Sequence, residues 1–168
     1  MIKNVVRIFN FQSPRTLVEQ ADKKYIERGV FFADSTFFEI FDYKFLAGNS
    51  KTALNEPFMV VITERAAKKY FGDKKPLGKT LKVEGQFPFQ VSGVIEDVPS
   101  QSHFHFDFIA SMSSVKHFYR GYLPKTWVWN PCWTYIVLDK NVDPEHLEKE
   151  LLPKFVQKYF YDAEKDNI

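Results

Sequence analysis

The 168-residue chain is 45% hydrophobic and 26% charged, which suits one domain, or two small subdomains sharing a core, and excludes a disordered chain. Its net charge of +2 is spread with both signs mixed, so no basic block tracks a phosphate backbone and nucleic acid is excluded as a partner. The single cysteine, Cys132, can build neither an internal disulfide nor a multi-cysteine metal site.

The run 5–11 alternates loosely and reads as a strand, interrupted by a turn or bulge at Ser13-Pro14. Segments 16–21 and 25–32 read as two more strands, with Asp22-Lys23-Lys24 as the turn between them. Thr36-Phe37-Phe38-Glu39 fits a capping box, with Asp34 and Ser35 as alternative caps. The short helix so capped would end before Gly48-Asn49 and bury Phe37, Phe38, Phe41 and Phe45 on one side.

Asn55-Glu56-Pro57 breaks the chain, and 58–62 suits a buried strand. Thr63 then caps a helix over 64–70, with Glu64 at its positive end, Lys68 and Lys69 at its negative end, and Gly72 as its stop. A hairpin follows, with arms 80–83 and 87–95, a turn containing Glu84-Gly85, and Pro88 at an edge or bulge. Residues 99–102 are loop. From 103 to 109 the chain alternates strictly, with Phe104, Phe106 and Phe108 on one face and His103, His105 and Asp107 on the other.

Residues 111–130 read as a helical or irregular crossing with exposed tips near Gly121 and Pro124, and 133–138 as a strand. Asp143-Pro144-Glu145 opens a final helix with an Asp cap and Pro at its first position. Leu147, Leu151, Phe155 and Tyr159 form its apolar stripe, and Pro153 predicts a kink. No run is long and apolar enough to cross a bilayer, and no signal peptide is evident. Strand-forming Val5 and Val6 come directly after the start, so the chain is expected to be a piece excised from a larger protein.

Candidate chemistry is sparse. His103, His105 and Asp107 could hold a metal, since alternate strand positions share a face, imidazole suits zinc or copper, and a catalytic zinc site could use two His and a carboxylate. The polar outer face of a half-buried strand needs the same pattern, and that reading is preferred. Cys132 could be a nucleophile with His117 or His146, but its bulky apolar neighbours raise a thiol pKa. Val91-Ser92-Gly93 is not a nucleophile elbow; its glycine marks close backbone packing. Gly72 and Gly78 are spaced one step too far apart for a phosphate loop ending at Lys79. Glu96 and Asp97 point to opposite sides of an extended chain, a poor start for glycoside cleavage. Trp127, Trp129 and Trp133 resemble a sugar-stacking platform, though packing is the preferred reading, as it is for the 18 phenylalanines.

Five blocks in a fixed order carry a family resemblance: Ala33-Asp34-Ser35 with Phe37, Phe38 and Phe41; Val60-Val61-Ile62-Thr63-Glu64 with Ala67, Tyr70, Phe71 and Gly72; Pro76-Leu77-Gly78-Lys79 with Leu81; Gly93-Val94-Ile95 with Asp97; and Ser102-His103-Phe104-His105-Phe106-Asp107. In this order, over residues 5–160, the chain resembles the MacB-like periplasmic core domain of FtsX-like ABC transporter permeases.

The resemblance implies an α+β, two-lobed extracytoplasmic domain. A porter-like α/β lobe would combine residues 1–33 with 112–168, lacking its first strand and helix, and a small mixed α/β lobe, 34–111, would be inserted in it. It also implies a non-catalytic role, with no catalytic, cofactor-binding or metal-binding residues. ATP-driven motion of transmembrane helices would pass through the domain to an envelope partner or substrate. The implied partners are a cytoplasmic ATP-binding subunit, a periplasmic adaptor or lipoprotein substrate, and a second permease copy or second outer domain. The implied location is the inner membrane, with this domain in the periplasm. The alternative is a periplasmic carbohydrate- or peptide-binding domain using Trp127 and Trp129; a metal-dependent hydrolase on His103, His105 and Asp107 ranks third.

Overall fold

The computed structural model describes residues 2–10, 15–119 and 132–161. A ten-stranded mixed sheet organises them, in the order β10-β1-β4-β9-β6-β8-β7-β2-β3, with β5 also paired to β8. The strands are β1 Ile2–Phe9, β2 Thr16–Gln20, β3 Lys23–Glu27, β4 Val30–Ala33, β5 Phe45–Gly48, β6 Met59–Thr63, β7 Thr80–Val83, β8 Phe87–Ile95, β9 Phe108–Ser111 and β10 Cys132–Leu138. The pairs β4–β9 and β6–β8 are parallel. The sheet passes without a break through both segments expected as separate lobes.

The central strands are covered on both faces, which is why they read as apolar runs rather than alternating ones. On one face, α2 (Glu64–Phe71) lays Ala66, Tyr70 and Phe71 against Val60, Ile62, Phe89 and Phe108. On the other, α1 (Phe37–Ile40) and the chain at 104–106 enclose Val6, Val61, Ile95 and Ile109. Phe37 is fully buried there, with the rings of Phe38, Phe41, Tyr43 and Phe106 centred 4.9–5.9 Å away.

Elements set by local signals fall where the sequence predicts. Thr63 caps α2, its hydroxyl accepting from the Ala66 amide at 3.2 Å, and Glu64 pairs with Lys68 at 3.0 Å. The β7–β8 hairpin turns through Glu84 and Gly85, both at positive φ. Pro88 pairs only with Lys82 of β7, beyond the point where β6 joins at Gln90, so its missing amide breaks no ladder bond on that side.

Four expectations need correction. First, Lys23 and Lys24 belong to β3, and the turn is Ala21-Asp22, with Ala21 at φ 52°. Lysines are at home in this edge strand, and Lys23 Nζ donates to the carbonyls of Lys69 and Tyr70 at the end of α2 (2.9 and 3.0 Å). The expected strand 25–32 breaks between β3 and β4 at Gly29, whose carbonyl accepts from the amides of Asp107 and Phe108 at 3.0 Å.

Second, the capping box does not form. Thr36 donates instead to the Val5 carbonyl (2.7 Å), Glu39 accepts from Asn4 Nδ2 (2.9 Å), and the Asp34 carboxylate is held by Arg7. With its caps drawn onto β1, α1 ends at Ile40, and Phe45 lies in β5.

Third, Phe58 stands outside β6 at φ 59°, fixed by its amide on Ser114 Oγ (2.7 Å) and its carbonyl on the Gln90 amide (2.8 Å). Fourth, the strand expected over 103–109 is β9, Phe108–Ser111, because residues before Phe108 have no strand partner in the sheet.

After β9 come a 3-10 turn, Met112–Ser114, and α3, Val115–Phe118. The tips expected near Gly121 and Pro124 lie outside the described residues. The final helix starts at α4 (Pro144–His146), where Asp143 Oδ1 accepts from the Glu145 amide at 2.9 Å, and continues through α5 (Leu152–Val156). Wide π-turns, Leu147–Leu151 and Gln157–Tyr161, flank α5, and Pro153 sits in the first turn of α5, just after one of them.

Thr63 is doubly engaged, since its hydroxyl also donates to Asp107 Oδ1 at 2.7 Å. Thr63→Val keeps the shape and deletes both bonds, so it is expected to lower unfolding free energy by about 2 kcal/mol. Thr63→Ser should recover most of that loss in the same urea titration.

Candidate interaction surface

At the β10 edge of the sheet, the exposed ring of Trp133 meets several half-buried aromatic side chains. Register pairs Val6 with Tyr135 and Ile8 with Trp133, so alternation along β10 puts both of its aromatic rings on one face. Phe31 and Phe104 close around them, forming a cleft of about 170 Å³ that also includes His103 and Ile8. Trp133 is 51% exposed at its mouth, with the Phe31 ring 6.2 Å away. His103 Nε2 is hydrogen-bonded to the Tyr135 hydroxyl at 2.7 Å, and the Phe41 ring stands edge-on to Tyr135 at 5.2 Å. Such a surface offers stacking and apolar contact, with one polar pair at its rim.

A second groove, of about 370 Å³, opens near the other core. Phe32, Phe87 and Phe118 line it, and Arg15 and Glu84 stand at its side. Glu84 is committed to the backbone, accepting from the Leu17 amide at 2.8 Å.

Two charge clamps brace the structure around these surfaces. Arg7 grips Asp34 in a fork: its amide and Nε donate to Oδ2 at 2.9 Å, and a terminal nitrogen donates to Oδ1 at 2.8 Å. Arg65 reaches Asp107 Oδ1 at 2.8 Å, while its amide donates to Asp97 Oδ1 at 2.9 Å at the start of α2. Hydrogen bonding to the carboxylate raises the pKa of both guanidinium groups.

These contacts separate the candidate metal set, the less favoured reading of this segment. Asp107 is taken up by Thr63 and Arg65, His103 by Tyr135, and His105 is exposed on an irregular stretch of chain. Among the described residues, no group of three His, Cys, Asp or Glu side chains could hold a metal ion.

Burial raises the pKa of the Cys132 thiol, although Arg7 opposes that shift. His117 lies against the Phe58 ring at 5.0 Å, and His146 pairs with Glu150 at 3.3 Å, so neither imidazole is engaged with the thiol. Glu96 meets Lys44 at 2.5 Å while Asp97 caps α2, and the two carboxylates serve different ends. Ser92 sits at a bulge in β8 and donates to the carbonyls of Ala53 (2.7 Å) and Val60 (3.2 Å). A Cβ on Gly93 would stand 2.6 Å from the Phe45 ring, the close packing the sequence suggests. Gly78 and Lys79 are tied into β8 through Val91, whose carbonyl accepts from the Gly78 amide and whose amide donates to the Lys79 carbonyl, both at 2.8 Å. Trp127 and Trp129 lie outside the described residues.

Sequence reasoning found Trp133 but missed its partners. Phe31 and Phe104 come from two distant segments and Tyr135 from β10 itself, and only the alternation in 132–138 hinted at which rings of β10 share a face.

Comparison with known proteins bears on the whole chain. The sequence model of the MacB-like periplasmic core domain matches residues 2–154. No curated protein sequence matches significantly. Among solved structures, the fold is similar to a domain of a protein described as a permease from Porphyromonas gingivalis, with a TM-score of 0.72 at 23% identity, covering 94% of this chain and 70% of that one. It is also similar to the periplasmic region of MacB from Actinobacillus actinomycetemcomitans, with a TM-score of 0.67 at 20% identity, covering 93% of this chain and 67% of that one. The extracellular domain of the noncanonic ABC-type transporter YknZ from Gram-positive bacteria gives a TM-score of 0.58 at 14% identity, covering 88% of this chain and 70% of that one. At these identities the likeness to the solved structures is one of fold, whereas the sequence match spans nearly all of the chain. The chain belongs to the MacB-like periplasmic core domain family.

Proposed function

We propose that this chain is the extracytoplasmic domain of an ABC transporter permease, and that it passes ATP-driven transmembrane motion to an envelope partner or substrate without making or breaking a covalent bond. The observation that carries the reading is the bracing of one continuous sheet by the Arg7–Asp34 and Arg65–Asp107 clamps. A body that transmits force must move as a unit, so its strain has to appear at an interface rather than inside the fold. Aromatic cores on both faces of the sheet serve the same end. The Trp133 cleft offers an edge where a partner could be gripped.

The proposed partners are a cytoplasmic ATP-binding subunit acting through the permease's transmembrane helices, a second permease copy or outer domain, and a periplasmic adaptor or lipoprotein substrate. The proposed location is the periplasmic side of the inner membrane. Among the described residues, no helix is long and apolar enough to cross a membrane. The division into lobes, 1–33 with 112–168 and 34–111, is part of the proposal. Ala33 and Ser111 are Cα partners in the parallel β4–β9 pair, so the inserted segment would leave and return at neighbouring points. The β2–β3 hairpin reaches across to pair with β7 of that segment.

The test uses the full-length transporter. Arg7→Ala with Asp34→Ala should leave ATP hydrolysis intact and lower transport about tenfold, the equivalent of roughly 1.4 kcal/mol of lost coupling. Unchanged transport in that double variant would remove the clamp from the mechanism.

A further inference from the structure

We propose that β3 pairs with β3 of a second copy of this chain, antiparallel, about a two-fold axis at Tyr25. This gives the second-copy partner named above a definite surface, but it rests on β3 alone and stands whether or not the domain transmits force.

β3 ends the strand order opposite β10, and its only strand partner among the described residues is β2. The direction of its backbone groups follows from β2. Leu17 turns both of its backbone groups to the β7 side, the amide donating to Glu84 Oε1 and the carbonyl accepting from the Glu84 amide. Leu17 faces Ile26, so Ile26 makes no ladder bond with β2 and points its own amide and carbonyl outward. Alternation along the strand gives Lys24 the same direction. Lys24 and Ile26 each leave an amide and a carbonyl open on this edge.

Such an edge is normally guarded by lysines that reach across it. Here both are drawn back onto the chain's own fold. Lys24 Nζ pairs with Glu19 at 2.7 Å, and Lys23 Nζ is held by the two carbonyls at the end of α2. Ile26 beside them is 58% exposed, more than any other large apolar side chain described.

Charge selects the occupant and the register. The outward groups of Lys24 and Ile26 admit three self-pairings. One sets Lys24 against Lys24 of the second copy, and another sets Lys24 against Arg28 of the second copy. The third, centred on Tyr25, sets Asp22 against Arg28 and Lys23 against Glu27 in both directions, with Lys24 beside Ile26 and the two Tyr25 rings together. Asp22 and Arg28 are exposed and have no ion pair among the described residues, so the two contacts they make are new. Lys23 and Glu27 keep their present partners. A segment whose charges reverse about its own centre is complementary to itself when antiparallel, which is what an isologous contact requires.

One strand edge buries less than the roughly 1,200 Å² of the smallest stable interfaces, so the dimer is weak and its equilibrium falls within a concentration series. Sedimentation equilibrium of the 168-residue protein, at loads from about 10 µM to about 1 mM, tests the proposal. The weight-average mass should climb from one chain towards two. Asp22→Arg and Arg28→Asp should each weaken association about tenfold, since by symmetry each turns both Asp–Arg contacts into like-charge ones. An equimolar mixture of the two variants should regain the parent's association, because every such contact in the mixed pair is again Asp against Arg. Ile26→Pro removes an outward amide that β2 does not use, so it should abolish the dimer and leave the circular dichroism of the parent chain. One-chain mass at every load overturns the proposal. Self-association that survives Ile26→Pro, or a mixture of charge variants that associates no better than either alone, assigns the contact to another surface and also overturns it. No arm reads transport, so failure here leaves the transmission reading standing.

Discussion

Gly48→Ala is expected to lower the unfolding free energy by about 2–4 kcal/mol, against a typical total of about 5–15 kcal/mol for a domain. Gly48 ends β5 at φ +92°, where an L side chain is strained whatever the space around it. Space is also lacking: an added Cβ would stand 2.4 Å from the Ser92 carbonyl oxygen and 2.8 Å from the Gly93 Cα. Both obstacles are backbone of β8, which is fixed on its other side by the parallel ladder to β6. Relief would require β5 to lift from β8 and carry Phe45 away from the core.

Two other glycines calibrate the effect. Gly93→Ala meets the Phe45 ring at 2.6 Å, a side chain that can turn aside, so its cost should be smaller. Gly78→Ala meets nothing within 4 Å and bears only the strain of φ +74°, about 1 kcal/mol. Urea titrations should therefore rank the losses Gly48 above Gly93 above Gly78. In heat, Gly48→Ala should lower the midpoint by roughly 6–12 °C for a chain of this size. A Gly48→Ala protein as stable as the parent would mean that β5 does not approach β8 so closely.

How much of this was legible in the sequence depends on how far away each residue's partner lies. The cap, dipole charges and glycine stop of α2 are decided within a few residues, and so is the hairpin turn at Glu84-Gly85; both were readable. Thr36 and Glu39 carry an equally good local signal, yet their side chains serve Val5 and Asn4, which the sequence places more than 30 positions away. A local rule cannot see that competitor.

Residues 103–108 show another limit. Phe106 and Phe108 are buried, Phe104 is half-buried and the histidines are exposed, as the alternation predicts. Yet this stretch makes no ladder before Phe108, because alternation reports which side chains are buried and not whether a neighbouring strand is present. The same blindness suggested a metal set: His103 and Asp107 look equivalent along a strand, while the fold commits one to Tyr135 and the other to Arg65. The Trp133 cleft depends on three segments meeting, and no spacing within any one of them encodes that meeting.

The other large effect should come from the polar knot beneath β3. Glu27 is only 8% exposed and accepts from Lys69 Nζ at 2.7 Å and from the Tyr70 hydroxyl at 2.5 Å. Tyr70 itself is 1% exposed, and its remaining contact, to the Val18 carbonyl, is a long 3.4 Å. Glu27→Ala strands the hydroxyl in the core and leaves Lys69 without its anion, so it should cost about 3 kcal/mol. Tyr70→Phe leaves the Glu27–Lys69 pair intact and should cost closer to 1 kcal/mol. Alkaline pH separates the two contributions. Burial, then the hydrogen bond to Glu27 and its charge, raises the Tyr70 pKa far above the ordinary tyrosine value. The stability this represents is complete below about pH 10, the pKa of a tyrosine in the unfolded chain. Above that pH the unfolded chain has released a proton that folded Tyr70 retains, so stability falls with a slope approaching 1.4 kcal/mol per pH unit for this one group (an approximate limit). Tyr70→Phe removes that slope while keeping every other tyrosine, so the gap between the two proteins should close as pH rises from about 10 to 11. Parallel curves over that interval would mean that Tyr70 ionises as freely in the folded protein as in the unfolded one, and that the knot does not hold its proton.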